Sequence, residues 1–170
     1  MKKEMGDKMI EENKLVKYYE EISGKLDEMI PCEWERVVLY AEEIGNVSSA
    51  GFYFYTSDGE AHYSEGIPTK YNVTEEEFSA RLRELWKINK SLWQEFEDCG
   101  EQTWCAFTFY LTKDWKFNIK YHYERNSDIS SKERRIRWAY DELGIIPKGK
   151  SGKKLLMEYL QEQGRELPND

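Results

Sequence analysis

Residues 36–57 read RVVLYAEEIGNVSSAGFYFYTS, two runs rich in β-branched and aromatic residues with Gly45-Asn46 between them. Val, Tyr and Phe suit a pleated, half-buried surface, and Gly-Asn tolerates the positive φ that a tight turn between antiparallel strands demands. The stretch predicts a hairpin, RVVLYAE (36–42) against SAGFYFYTS (49–57). Ser57-Asp58-Gly59 supplies a second turn into a short strand near 60–64, so three strands form a meander.

Outward from the meander the period changes from two to between three and four. On the N-terminal side, Met9, Ile10, Leu15, Val16, Tyr19, Ile22, Leu26 and Met29 make one helical stripe, and Pro31 closes it. On the C-terminal side, Thr74 followed by Glu77 is a capping box opening a helix through Phe78, Leu85, Leu92 and Phe96 as far as Gly100. TWCAFTFYL (103–111) and KFNIKYHY (116–123) then read as a second strand pair around Lys113-Asp114, with Phe117, Ile119, Tyr121 and Tyr123 alternating against polar residues. Helices at 131–143 and 151–163 complete the chain, the first with a second capping box, Ser130 and Glu133. The order helix, three strands, helix, two strands, two helices gives an α+β fold with an antiparallel sheet of about five strands and helices on one face. No repeat or linker divides the chain, so residues 1–170 are expected to form one domain.

The chain has 170 residues, of which 15% are aromatic, too much apolar bulk for a disordered segment. Residues 1–115 carry 24 acids against 13 bases (net −11) and residues 116–170 carry 9 against 12 (net +3). A field of that sign repels nucleic acid and anionic lipid and draws in basic partners. Three widely spaced cysteines suggest neither a disulfide framework nor a metal clamp, and reduced thiols in the cytoplasm are expected. No signal peptide and no membrane-spanning apolar run is legible.

GIIPKGKS (144–151) fits the letters of a phosphate-binding loop, but that loop needs a strand before its first glycine so that backbone N–H groups converge on the anion. Here ERRIRWAYDEL precedes it at helical spacing, which makes Gly144 a helix C-cap and the segment a connector between helices. Two histidines, His62 and His122, cannot complete a zinc centre without distant thiols. Cys105 and His122 lie on paired strands, yet Cys105 shares its parity with Phe107, Phe109 and Leu111 and is read as a core residue. Carboxylate pairs such as Glu42-Glu43 point to opposite sides of a strand. Neither a catalytic group, a metal site nor a cofactor is expected, and the chain is not expected to be an enzyme.

IPCEWERVVLYAEEIGNVSSAGFYFY (30–55) resembles the opening block of the YezG-type immunity protein family. The likeness continues in order through YSEGIPTKYNVTEEEF (63–78), KFNIKYHYE (116–124), KERRIRWAYDELGIIP (132–147) and LLMEYL (155–160). The resemblance implies a cytoplasmic antitoxin, monomeric or weakly dimeric when free. It would bind the toxic C-terminal domain, often a nuclease, of a secreted LXG-type polymorphic toxin. Lys120, His122 and Arg125 stand where relatives tend to carry acids, and KGKSGKK adds four lysines, so that edge is set aside as the contact surface. The alternative is a binding or adaptor module of the same fold with another basic protein partner. By elimination the partner-binding face is placed on the meander, at Glu42, Glu43, Tyr53, Tyr55, Asp58, Glu60 and Glu65, where acids would meet Arg or Lys and tyrosines would be the desolvated anchors.

Overall fold

A computed structural model describes residues 10–168. They divide into two compact units, one ending at Glu124 and one starting at Arg125.

The first unit begins with α1 (Glu12–Met29), whose buried stripe Ile22, Leu26 and Met29 is the one its spacing predicts. Met9 lies outside the described residues. Ile30 leaves the helix in an extended conformation, as the residue before a proline must. Strands β1 (Arg36–Ile44), β2 (Val47–Tyr55) and β3 (Ala61–Tyr63) form the expected meander. Gly45 and Asn46 take φ of 57° and 67°, the paired left-handed conformation of a two-residue hairpin turn. One 3-10 turn (Ser64–Gly66) and the single-turn α2 (Ile67–Lys70) lead to α3 (Glu75–Asp98). The Thr74 side chain accepts from the Glu77 N–H while Glu77 reaches back to the Thr74 N–H, so the capping box is complete. Strands β4 (Ala106–Thr112) and β5 (Phe117–His122) make the second hairpin.

The five strands are antiparallel in the order β3-β2-β1-β4-β5, because β1 pairs with β4 as well as with β2. That central place explains the continuous apolar run of β1, which reads like a strand buried on both faces. Val37, Leu39 and Ala41 face α1 and α3 within one core that also holds Phe52, Phe54, Phe107, Phe109 and Leu111. On the other face Val38, Tyr40, Glu42 and Thr108 are buried too, while Asn118 and Lys120 of β5 are exposed. The expected wet face is therefore open along the outer strand and at the Arg36–Thr112 end, and closed at the middle of β1 and β4.

The second unit pairs α4 (Ser131–Leu143) with α5 (Lys150–Glu162) around Leu156, Tyr159 and Leu160, against which Ile136 and Tyr140 pack. Ser130 caps α4 by accepting from the Glu133 N–H, but the Glu133 carboxylate turns to Arg137 at 2.5 Å rather than back to the cap. Gly144 closes α4 at φ 70°, with its N–H donated to Tyr140 and that of Ile145 to Ala139. This six-to-one closure is the C-cap geometry read from the sequence. A Cβ on Gly152 would lie 2.7 Å from Pro147 Cβ, so this glycine lets α5 close on the connector.

Candidate protein-binding site

The meander does not gather the sequence-proposed residues into one patch. Glu42 and Glu43 stand at the end of β1 near the Gly45-Asn46 turn, whereas Asp58 and Glu60 follow the far end of β2. From Ser48, opposite Glu43, to Tyr55 is seven residues of strand, about 23 Å. Glu42 and Glu43 are only 2% and 6% exposed, and both carboxylates are engaged inside the fold. Tyr40 donates its hydroxyl proton to Glu42 at 2.8 Å. Ser48 donates to Glu43 at 2.5 Å, and Lys90 of α3 lies 3.5 Å from its other oxygen. Burial raises the Glu43 pKa, outweighing the opposing pull of Ser48 and Lys90. These two acids are structural, which corrects their assignment to an exposed contact face. Adjacent acids on a strand gave no sign of it, because β1 is buried along nearly its whole length and neither direction leads to water.

The tyrosines are half-buried. Tyr53 packs on Tyr63 with tilted rings at 4.7 Å between centroids, and the Arg36 guanidinium covers the Tyr55 ring at 3.9 Å. Asp58, Glu60 and Glu65 are exposed. Asp58 accepts from the Thr56 hydroxyl at 2.6 Å and from the Glu60 N–H at 3.0 Å, and these bonds, the hydroxyl first, hold its pKa below the ordinary value.

Asp58 also lines an open cleft of about 780 Å³ that sequence reasoning missed. Its walls come from places far apart in the chain: Asp27 of α1, the loop before β1 with Glu33, Trp34 and Glu35, the β2–β3 turn, Tyr71, and the β4–β5 turn with Lys113 and Trp115. The β1–β4 pairing, in which Arg36 faces Thr112, brings the loop before β1 and the β4–β5 turn together. Backbone bonds fix the frame: the Glu35 N–H donates to Tyr55, and the Lys113 N–H donates to Glu35. Trp34 is buried to 8% exposure, its indole N–H donated to Asp27 at 3.0 Å, and its ring meets Trp115 edge to face at 6.2 Å. Trp115 is 48% exposed.

The Trp115 backbone is out of the ordinary. The β4–β5 connection is a three-residue loop in which the Trp115 N–H donates to Thr112 and the Thr112 N–H donates to Lys116. The third residue of such a loop takes the left-handed conformation that glycine favours, and here it is a tryptophan at φ 63°. A bulky side chain there costs on the order of 1–2 kcal/mol. Strain of this kind collects at functional sites. The cleft is also acidic: Asp27, Glu33, Glu35 and Asp58 line it against Lys113, whose ammonium lies 3.3 Å from Glu35.

The cysteine and histidine groups that could carry chemistry are otherwise occupied. The Cys105 thiol donates to the Tyr123 carbonyl at 3.3 Å, and His122 Nε2 lies 2.8 Å from Thr108 Oγ1. Cys105 is buried, but its neighbour Trp104 packs on Phe107 at 5.1 Å, so the alternation slips just before β4. Asp58, Glu60 and His62 bring one ligand atom each within 4.8 Å of one another, with both acids exposed and His62 Nε2 bonded to Thr56 at 3.0 Å. Gly149 and Lys150 open α5, but α4 precedes the GIIPKGKS loop and no strand does.

An α+β chain with an acidic, aromatic cleft has the features of a protein-binding module. The model of the YezG-like immunity proteins matches residues 15–157. The chain belongs to the YezG-like immunity protein family, whose members are non-catalytic binding proteins that bind a cognate toxin. It is 36% identical over 146 residues to the immunity protein YezG of Bacillus spizizenii, a match covering 84% of this chain and 91% of that protein. It is 32% identical over 145 residues to the immunity protein YezG of Bacillus subtilis strain 168, covering 84% and 96%. The type VII secretion system protein EsaG of Staphylococcus aureus is 29% identical over 140 residues, covering 80% of this chain and 85% of its own. Among the described residues no helix is long and apolar enough to cross a membrane.

Proposed function

We propose that this chain is a cytoplasmic antitoxin that binds the C-terminal toxic domain of an LXG-type secreted toxin and covers its active site. The toxin would be a nuclease. Such enzymes hold an anionic backbone in a basic cleft, and a protein whose first 115 residues sum to −11 presents the complementary charge. The observation that carries the reading is the exposed acidic end of the first unit, where Asp58 and Glu60 follow β2 and Glu33 and Glu35 precede β1. Acids standing where phosphates would sit block a nuclease without chemistry. The staphylococcal relative's name supports a link to type VII secretion.

The test is co-expression with the toxin domain encoded beside this chain, scored by cell survival and by co-purification. Wild-type chain is expected to rescue growth. Charge reversal at Asp58, Glu60 and Glu65 is expected to slow association and to weaken rescue. Capture of a basic protein without rescue would favour the adaptor reading instead. Rescue undiminished by the triple reversal would remove this surface from the proposal.

A further inference from the structure

The cleft between the β2–β3 and β4–β5 turns has a chemistry more specific than negative charge. Half-exposed Trp115 lines it and packs edge to face with buried Trp34. The rim of the cleft carries Glu33, exposed and without an ion-pair partner among the described residues, and Asp58, whose carboxyl its turn hydrogen bonds hold below the ordinary pKa. A flat π surface beside carboxylates suits a planar cation better than a compact one, because a guanidinium stacks and pairs at once while an ammonium is a hydrated point charge. Tryptophan is also the residue most concentrated at binding hot spots. The volume of about 780 Å³ exceeds a single side chain and accommodates the tip of a loop.

We infer that this cleft is the seat of an arginine carried on a basic loop of the toxin domain, its guanidinium flat on Trp115 and its charge met by Glu33 and Asp58. The inference rests on the antitoxin reading for the identity of the partner, though not for the chemistry of the seat. The left-handed backbone at Trp115 then has a purpose: it keeps the indole among the residues lining the cleft, at a position where glycine would be cheaper. The seat is rigid before anything arrives, since the backbone bonds from Glu35 to Tyr55 and from Lys113 to Glu35 lock two of its walls to the sheet.

Two capped seven-residue peptides test this directly, one alternating glycine with arginine and the other glycine with lysine, titrated into the full chain while the indole N–H signals of Trp34 and Trp115 are followed by NMR. The arginine peptide is expected to bind at least threefold more tightly and to move the Trp115 signal. Trp115→Gly, which keeps the turn because glycine accepts its φ, is expected to erase that preference. Glu33→Gln with Asp58→Asn is expected to weaken both peptides alike. Equal affinity for the two peptides in the wild type, or a preference that survives Trp115→Gly, overturns the inference. The toxin domain separates this result from the antitoxin reading. A chain that prefers arginine but captures no toxin keeps the seat and loses the partner. A chain that captures toxin equally well with Trp115→Gly keeps the partner and loses the seat.

Discussion

Replacing Trp115 with glycine and, separately, with alanine isolates the backbone strain from the side chain's contacts. Both variants lose the edge-to-face contact with Trp34, worth about 0.5–1.5 kcal/mol. Both also lose the apolar area that the half-covered indole removes from water, roughly 100 Å² or about 2.5 kcal/mol. They differ in how they accept a φ of 63°. Alanine retains a left-handed penalty of about 1–2 kcal/mol, whereas glycine sheds it but releases about 0.4–1 kcal/mol more entropy on unfolding. Glycine is therefore expected to be the more stable of the two by about 1 kcal/mol, with both below the wild type. Urea unfolding followed by near-ultraviolet circular dichroism reads the difference as a midpoint shift of about 0.5 M, given a slope of about 2 kcal/mol per molar. An alanine variant as stable as the glycine one would mean the turn relaxes at no cost, and the strain argument would fail. Because both variants lack the indole, both should lose the preference for arginine equally, whatever their stability.

Glu43→Gln tests the buried carboxyl. Its folded pKa lies above the ordinary 4.5, so the folded chain keeps the proton at a pH where the unfolded chain has released it. That contribution is full below the unfolded pKa and is lost as pH rises through the folded one. The glutamine variant should thus gain on the wild type as pH rises above 4.5 in urea unfolding; a constant difference would show that the site does not titrate. Asn89 is 2% exposed on the inner face of α3 with neither amide atom partnered among the described residues. Asn89→Leu keeps the branched shape and should raise stability by about 1–2 kcal/mol, and a loss in thermal melting would contradict this. Gly152 is buried in α5, and Gly152→Ala should destabilise by about 1–3 kcal/mol through the clash with Pro147, net of the roughly 1 kcal/mol by which alanine favours a helix over glycine. A raised melting temperature would show that the connector gives way.

The elements were legible wherever one period ran long enough. The stripe of α1, the capping box at Thr74 and the hairpin at Gly45-Asn46 are local devices, and local physics decides them. What the sequence concealed is set by pairing at a distance. Glu42 and Glu43 look like solvated acids until Tyr40, Ser48 and Lys90 of α3 close around their carboxylates and leave both buried. Trp34 and Trp115 are 81 positions apart, and nothing near either one announces the other. One clue was available: a tryptophan after Lys113-Asp114, where a three-residue hairpin loop ordinarily wants glycine, is a local contradiction that invites a functional reading.

The outermost strands bear on how any partner can be held. On one margin β3 has three residues, and on the other β5 has six and carries Lys120. Short or lysine-bearing margins offer little template for an incoming strand, which keeps copies of the protein from zipping together at high abundance. They also discourage recognition by strand addition, in which the main chain does the gripping and side chains only modulate it. Affinity then falls to a few projecting groups on a fixed frame. Such an arrangement allows the lineage to track a changing adversary by exchanging single side chains while the scaffold stays as it is.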